Sequence, residues 1–164
     1  FGSSLGPAFV LRPPAARLLS TSRHCRNGMA EASFIDKLAL VMVRDRKQLV
    51  ARSKGKTAFF TPGGKRESGE SDEEALIRES KEELTVDLVP STIEHYGVFQ
   101  AQAFGKPEGT MVRMTCYTAD FEGELAPSEE VEELRWIASD CPHSDLTVTG
   151  IMLMEDLKKR DLID

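Results

Sequence analysis

At 164 residues the chain is long enough to bury roughly 70% of the surface its unfolded form would expose, so one ordinary core is expected. Apolar residues make up 40% and charged residues 29%, which excludes both a disordered and a membrane-embedded composition. A net charge of −6 and a pI near 5.2 argue against binding along a long nucleic acid, which needs a basic footprint, but allow a small phosphorylated ligand held by a local basic loop and a metal.

In chain order, residues 1–33 stand apart. No Asp or Glu occurs before Glu31, while Arg12, Arg17, Arg23 and Arg26 lie among Ser, Ala, Leu and Pro. Two origins fit: an organellar transit peptide, or artificial or untranslated sequence ahead of a start at Met29. Either way a disordered extension is expected, with a mitochondrial location in the first case and a cytoplasmic one in the second. Cys25, Cys116 and Cys141 are odd in number and show no paired metal-ligand spacing, so free thiols in a reducing compartment are expected. The longest apolar run, Leu38 to Val43, is far short of the roughly 20 residues that span a bilayer.

A folded domain is expected over residues 34–164. Lys37 to Arg44, the turn-like Asp45-Arg46-Lys47 and Gln48 to Arg52 read as a hairpin. Thr57 to Thr61 reads as a short aromatic strand stopped by Pro62-Gly63-Gly64. A helix follows, with Ser71 as N-cap, Glu74 closing a capping box, acidic residues in the first turn and an apolar side of Leu76, Ile77 and Leu84. Strands are predicted at Val86 to Val89, Glu94 to Ala103, Met111 to Phe121 and Glu133 to Ile137, and a last helix at about Thr147 to Arg160. There is no internal repeat. Strands with hairpin-like connections and two substantial helices predict an α/β (α+β) domain, a mixed sheet covered by helices.

On the first helix Glu79, Glu82 and Glu83 fall within about a 100° arc, because i, i+3 and i+4 neighbours share a face. Carboxylates so placed repel one another unless a cation screens them, and magnesium, with manganese as the alternative, is the natural hard counterion for such oxygen ligands. A solvated acidic face is the plain reading of any Glu-rich helix. The Pro-Gly-Gly loop, Glu70 ahead of the helix and Arg78 four residues before Glu82 favour a metal site instead.

Gly64 to Val86 resembles the signature box of the Nudix hydrolase family, matching at Gly64, Glu70, Arg78, Glu79, Glu82 and Glu83, with Phe59, Pro62 and Gly63 similar to the usual lead-in. Ser80 departs from the pattern where an aliphatic residue is usual, and its hydroxyl is expected to bond back to a helix carbonyl. Thr85 departs where glycine is usual, at an exit that favours a left-handed backbone. The resemblance implies a MutT-like Nudix fold, an α/β/α sandwich with a mixed β-sheet. It implies that Glu82 and Glu83 bind metal, that Glu79 binds metal or acts as general base, and that the Gly63 carbonyl completes the coordination. Arg78 would orient Glu79, and Glu70 would hold the loop or reach a metal-bound water. A further Glu from a later loop is implied, with Glu129, Glu130, Glu132 and Glu133 all in range.

Arg52, Lys54, Lys56, Lys65 and Arg66 surround the Pro-Gly-Gly loop as candidates to steer phosphates. Phe59 is the aromatic candidate for contact with the substrate. Among the other aromatics, Phe60, Phe99, Phe104, Tyr117 and Trp136 are assigned to packing, and His95 and His143 to structure. The implied activity is magnesium-dependent hydrolysis of a diphosphate linkage in a nucleoside triphosphate, including oxidised or damaged ones. ADP-ribose or another nucleoside diphosphate conjugate is the alternative substrate. A non-catalytic binding domain fits less well, because such domains usually lose box carboxylates. RNA-end hydrolysis conflicts with the acidic charge balance. The resemblance also leaves room for a homodimer.

Overall fold

The computed structural model describes residues 34–103, 105–128 and 130–164; the extension 1–33, with its transit-like composition, lies outside these residues, as do Phe104 and Glu129. The strands are β1 (Phe34–Leu40), β2 (Val43–Arg44), β3 (Lys47–Ser53), β4 (Asp87–Leu88), β5 (Glu94–Gln102), β6 (Met111–Thr118), β7 (Phe121–Glu122) and β8 (Val131–Ile137). The helices are α1 (Asp72–Leu84) and α2 (Val148–Lys159). β1 runs parallel to β6, which pairs antiparallel with β5; β2, β3 and β8 form an antiparallel sheet, and β4 pairs with β7. None of the helices in the described residues is long and apolar enough to cross a membrane.

The expected first hairpin is only partly formed. β2 and β3 meet around Asp45 and Arg46, both left-handed (φ 49° and 56°), the conformation of a tight two-residue hairpin turn. The segment before it leaves this sheet because both edges of β1 are already used. One edge pairs with β6 from Phe34↔Met111 to Leu40↔Tyr117, and the other receives the glycine loop, with Leu38 N–H donating to the Gly64 carbonyl and Leu40 N–H to that of Pro62, each at 2.8 Å. Thr57 to Thr61 likewise makes no strand. Phe60 bridges Ala51 on one side and Phe59 bridges Leu146 on the other, and Pro62 then removes a donor.

Strand periodicity explains the layering. Leu38, Leu40, Met42 and Leu49 pack with Ala75, Leu76 and Leu84 of α1, whereas Ala39, Val41 and Val50 pack with Leu153, Met154 and Leu157 of α2. The strands are therefore buried on both faces between two helices, which is why the run from Leu38 is continuously apolar. Trp136 packs on the α1 side with the Arg44 guanidinium 5.1 Å from its ring, and His95 lies edge-on to Tyr117. Cys116 and Cys141 are free thiols.

Candidate active site

The start of α1 is fixed locally. Ser71 Oγ accepts from Glu74 N–H at 3.2 Å, and Glu74 Oε2 accepts from Ser71 N–H at 2.8 Å. Tyr117 on β6 donates its hydroxyl to Asp72 at 2.5 Å, pinning the same turn to the sheet. Ala75, Leu76, Ser80 and Leu84 then face the core, a phase that brings Glu79, Glu82 and Glu83 to one side of the helix. At the far end Thr85 is left-handed (φ 63°), its N–H donating to the Lys81 carbonyl and its hydroxyl to the Glu124 carbonyl. A β-branched residue there carries strain that a glycine would avoid. Ser80 corrects the sequence expectation: it is 2% exposed and its hydroxyl has no hydrogen-bond partner among the described residues.

Arg78 organises the acidic cluster. Its Nε and Nη2 bond the two oxygens of Glu70 at 2.7 and 2.9 Å, its Nη1 reaches Glu79 at 3.0 Å and Glu82 at 3.3 Å, and Nη2 also donates to the Lys65 carbonyl. The guanidinium holds the Glu70 carboxyl down to about 2, with the Glu67 N–H adding to the effect. Glu70 is thus an anchor of the loop on Arg78.

The glycine loop sits tightly between this cluster and β1. Gly63 (φ 127°) runs so close to β1 that a Cβ would come 2.5 Å from the Leu38 carbonyl oxygen, and its N–H donates to Glu83 at 2.6 Å. A Cβ on Gly64 would lie within 3.0 Å of the Glu79 carboxylate atoms. The absence of a side chain there lets Glu79 rest against the backbone.

Glu79, Glu82, Glu83, Ser128 and Glu130 line one cavity of about 270 Å³. Burial pushes Glu83 up to about 7; Lys37 and the Gly63 N–H oppose this, while Glu79 and Glu130 add to it. Among the described later-loop glutamates Glu130 faces this cavity, and its carbonyl accepts from Lys54 N–H. Glu132 and Glu133 are turned to Arg52 at 2.6 and 2.9 Å. No three His, Cys, Asp or Glu side chains among the described residues stand as a ready-made metal ligand set, because Glu79 and Glu82 lean on Arg78 and Glu83 leans on Gly63. The donor set nevertheless suits a hard divalent cation, because four carboxylates share one cavity.

The basic and aromatic candidates divide. Arg52 is held by Glu132 and Glu133, and Arg66 by Asp72 at 2.6 Å, so neither guanidinium is free for phosphate. Lys54 and Lys65 are exposed and make no ion pair among the described residues. Phe59 is 4% exposed, packed in the α2-side core under the guanidiniums of Arg135 and Arg52 at 4.3 and 5.5 Å from its ring, which corrects its assignment to the substrate. Phe60 faces the opposite way and lines two cavities, correcting its assignment to packing. Lys37 escaped sequence reasoning. Its signal in the sequence was a charge at the head of an apolar run, and its Nζ lies 4.4 Å from the centre of the Phe60 ring.

Residues 36–146 match the family model described as "NUDIX domain". No curated protein matches the chain by sequence. Among solved structures the chain is similar to the E. coli ORF135 protein, at 26% identity over 80% of this chain and 96% of that one, with a TM-score of 0.61. It is similar to a MutT NUDIX hydrolase from Burkholderia pseudomallei, at 26% identity, 75% and 97% coverage and a TM-score of 0.63. A UDP-X diphosphatase shares the fold at 20% identity, with 83% and 68% coverage and a TM-score of 0.59.

Proposed function

Because the chain belongs to the NUDIX domain family and is a Nudix hydrolase, acting on the pyrophosphate linkage of nucleotide substrates, we propose that its substrate is a nucleoside triphosphate, oxidised or damaged forms included, cleaved with Mg²⁺ or Mn²⁺. The observation that carries this reading is the single cavity lined by Glu79, Glu82, Glu83 and Glu130 beside the Gly63-Gly64 loop. Likeness to a MutT hydrolase over nearly its whole length favours the triphosphate over a diphosphate conjugate.

In this reading Glu79, Glu82, Glu83 and the Gly63 carbonyl hold the metal, with Glu130 as the later-loop glutamate. A divalent cation bound there would offset the phosphate charge and acidify the attacking water. Arg78 keeps Glu70 and Glu79 in register and leaves one face of Glu79 free to accept a proton. Gly64 gives Glu79 its seat, and the Gly63 N–H fixes Glu83. Lys54 and Lys65 draw the phosphate tail towards the cavity by charge, whereas Arg52 and Arg66 hold the surrounding loops.

A nucleotide panel with Mg²⁺ or Mn²⁺ and product analysis tests this. Monophosphate plus pyrophosphate supports a triphosphate substrate, and AMP plus ribose phosphate points to ADP-ribose. Unchanged turnover in Glu82→Gln and Glu83→Gln would remove the metal assignment.

A further inference from the structure

The alternation of β1 sends Leu38 and Leu40 to the α1 side and Lys37, with Ala39 and Val41, to the α2 side. There Lys37 enters a cavity of about 150 Å³ that it shares with Phe60, Thr61, Met114, Thr147 and Thr149. The same stretch of strand touches the acidic site. Leu38, the next residue, donates its N–H to the Gly64 carbonyl at 2.8 Å, Gly63 donates its N–H to Glu83 at 2.6 Å, and Gly64 lies against the Glu79 carboxylate. The strip of Gly63 and Gly64 therefore ties the strand that bears Lys37 to two of the carboxylates, and both feel the charge of Lys37.

Lys37 nevertheless lacks an acceptor. An ammonium has three N–H donors, and among the described residues it makes no ion pair and donates no hydrogen bond, whether to Glu79, Glu83 or the threonine hydroxyls of the cavity. What holds it is the Phe60 ring, whose centre lies 4.4 Å from Nζ; the ring attracts the charge but leaves N–H donors for an oxygen. The other cations around the site differ. Arg52, Arg66 and Arg78 are tied to carboxylates, and Lys54 and Lys65 are exposed to water. Lys37 is half-buried, and burial lowers its pKa while Glu83 and Glu79 act against that shift. A sheltered cation with unused donors gains most from an anionic oxygen, because a charge-assisted bond is stronger away from bulk water.

Resting on the reading that the phosphates of a nucleotide lie at the acidic cavity, we propose that Lys37 donates a hydrogen bond to a phosphate oxygen of the bound substrate. The glycine strip brings the ammonium near the carboxylates without pairing it to them, and a phosphate oxygen is the acceptor it lacks. Its charge then stabilises the negative charge carried by the phosphoryl group in transit. Every nucleotide carries phosphates, so the contact is indifferent to the base.

The test is kcat/KM for GTP, ATP, UTP and CTP in the wild type and Lys37→Met, with thermal melts to show folding. Mn²⁺ binding by the nucleotide-free proteins is followed by electron paramagnetic resonance. Lys37→Met should lose about 10- to 100-fold in kcat/KM, by the same factor on every nucleotide that the wild type hydrolyses. Its Mn²⁺ affinity should stay at the wild-type value or rise, because the lost ammonium opposed a cation at Glu83 and Glu79. Unchanged kcat/KM, a loss that differs between bases, or weaker Mn²⁺ binding would each overturn the proposal; the second outcome marks a base contact and the third a support for the carboxylates. If Lys37→Met does not fold, Lys37→Gln is read in its place against the same expectations. If the wild type hydrolyses no nucleotide with either metal, the triphosphate reading fails by itself. Calorimetric binding of inorganic pyrophosphate with Mg²⁺ then decides the contact: tighter binding by the wild type than by Lys37→Met supports it, and equal affinity refutes it.

Discussion

Gly64→Ala separates the site from the fold more cleanly than removal of a charge. The new methyl would fall within 3.0 Å of the Glu79 carboxylate, and ordinary contact begins near 3.4 Å. The carboxylate must therefore withdraw by about 1 Å or more, and a misplacement of that size at a reacting centre costs about 100-fold in rate. Stability should barely change. Gly64 has no positive φ to forbid a side chain, and the clashing group is the end of a flexible side chain. Loss of the 3.0 Å contact between Arg78 and Glu79 costs about 1 kcal/mol, offset by the 0.4–1 kcal/mol or so that alanine gains by restricting the unfolded chain. Steady-state kinetics on the best substrate, paired with thermal melts, should show kcat/KM falling about 100-fold with a melting temperature within a few degrees of wild type. Full activity would show that Glu79 is not held at the reacting centre, and an unfolded variant would show that the methyl meets the backbone.

Gly63→Ala should behave in the opposite way: its Cβ would meet the Leu38 carbonyl at 2.5 Å and Ala39 Cα at 2.9 Å, both backbone, at φ 127°. A loss of about 3 kcal/mol or more in urea denaturation is expected, and native-like stability would contradict the close approach to β1. Ser80→Ala removes a buried hydroxyl without a partner from a helix and should stabilise by about 1 kcal/mol at unchanged activity; chemical denaturation checks the sign, and destabilisation would reveal a hidden bond. Glu83 is raised to about 7 in the fold against 4.5 for its ordinary value, so in metal-free protein its contribution is present below pH 4.5 and is lost as pH rises towards 7. Metal-free Glu83→Gln should therefore lose less stability than wild type over that range, and parallel pH profiles would refute the shift. Mn²⁺ should raise the wild-type melting temperature more than that of Glu83→Gln.

Legibility from sequence followed the range of the interactions. Short-range rules determined α1: Ser71 and Glu74 are three residues apart, the three carboxylates repeat at i, i+3 and i+4, and Arg78 reaches Glu79 and Glu82 within its own helix. The apolar run from Leu38 likewise marked a strand, whereas its burial between two helices came only with the packing of α1 and α2.

The partners across the chain were decided only by tertiary structure. A strand pattern reports which side chains are apolar but not which edge is taken, so β1 could not be known to lie between β6 and the glycine loop. Phe59 and Phe60 have the same composition signal, and only the bridges to Leu146 and Ala51 send one ring into the core and the other to a cavity. Among Glu130, Glu132 and Glu133, the pairing of Arg52 with the last two leaves Glu130 facing the carboxylates across many intervening residues. The sequence by itself determined the acidic helix and the shared face of its carboxylates, because its cap, the carboxylate spacing and the reach of Arg78 along it are local. What surrounds that helix depended on packing between elements distant in the chain, where one side chain's neighbours are set by all the others at once.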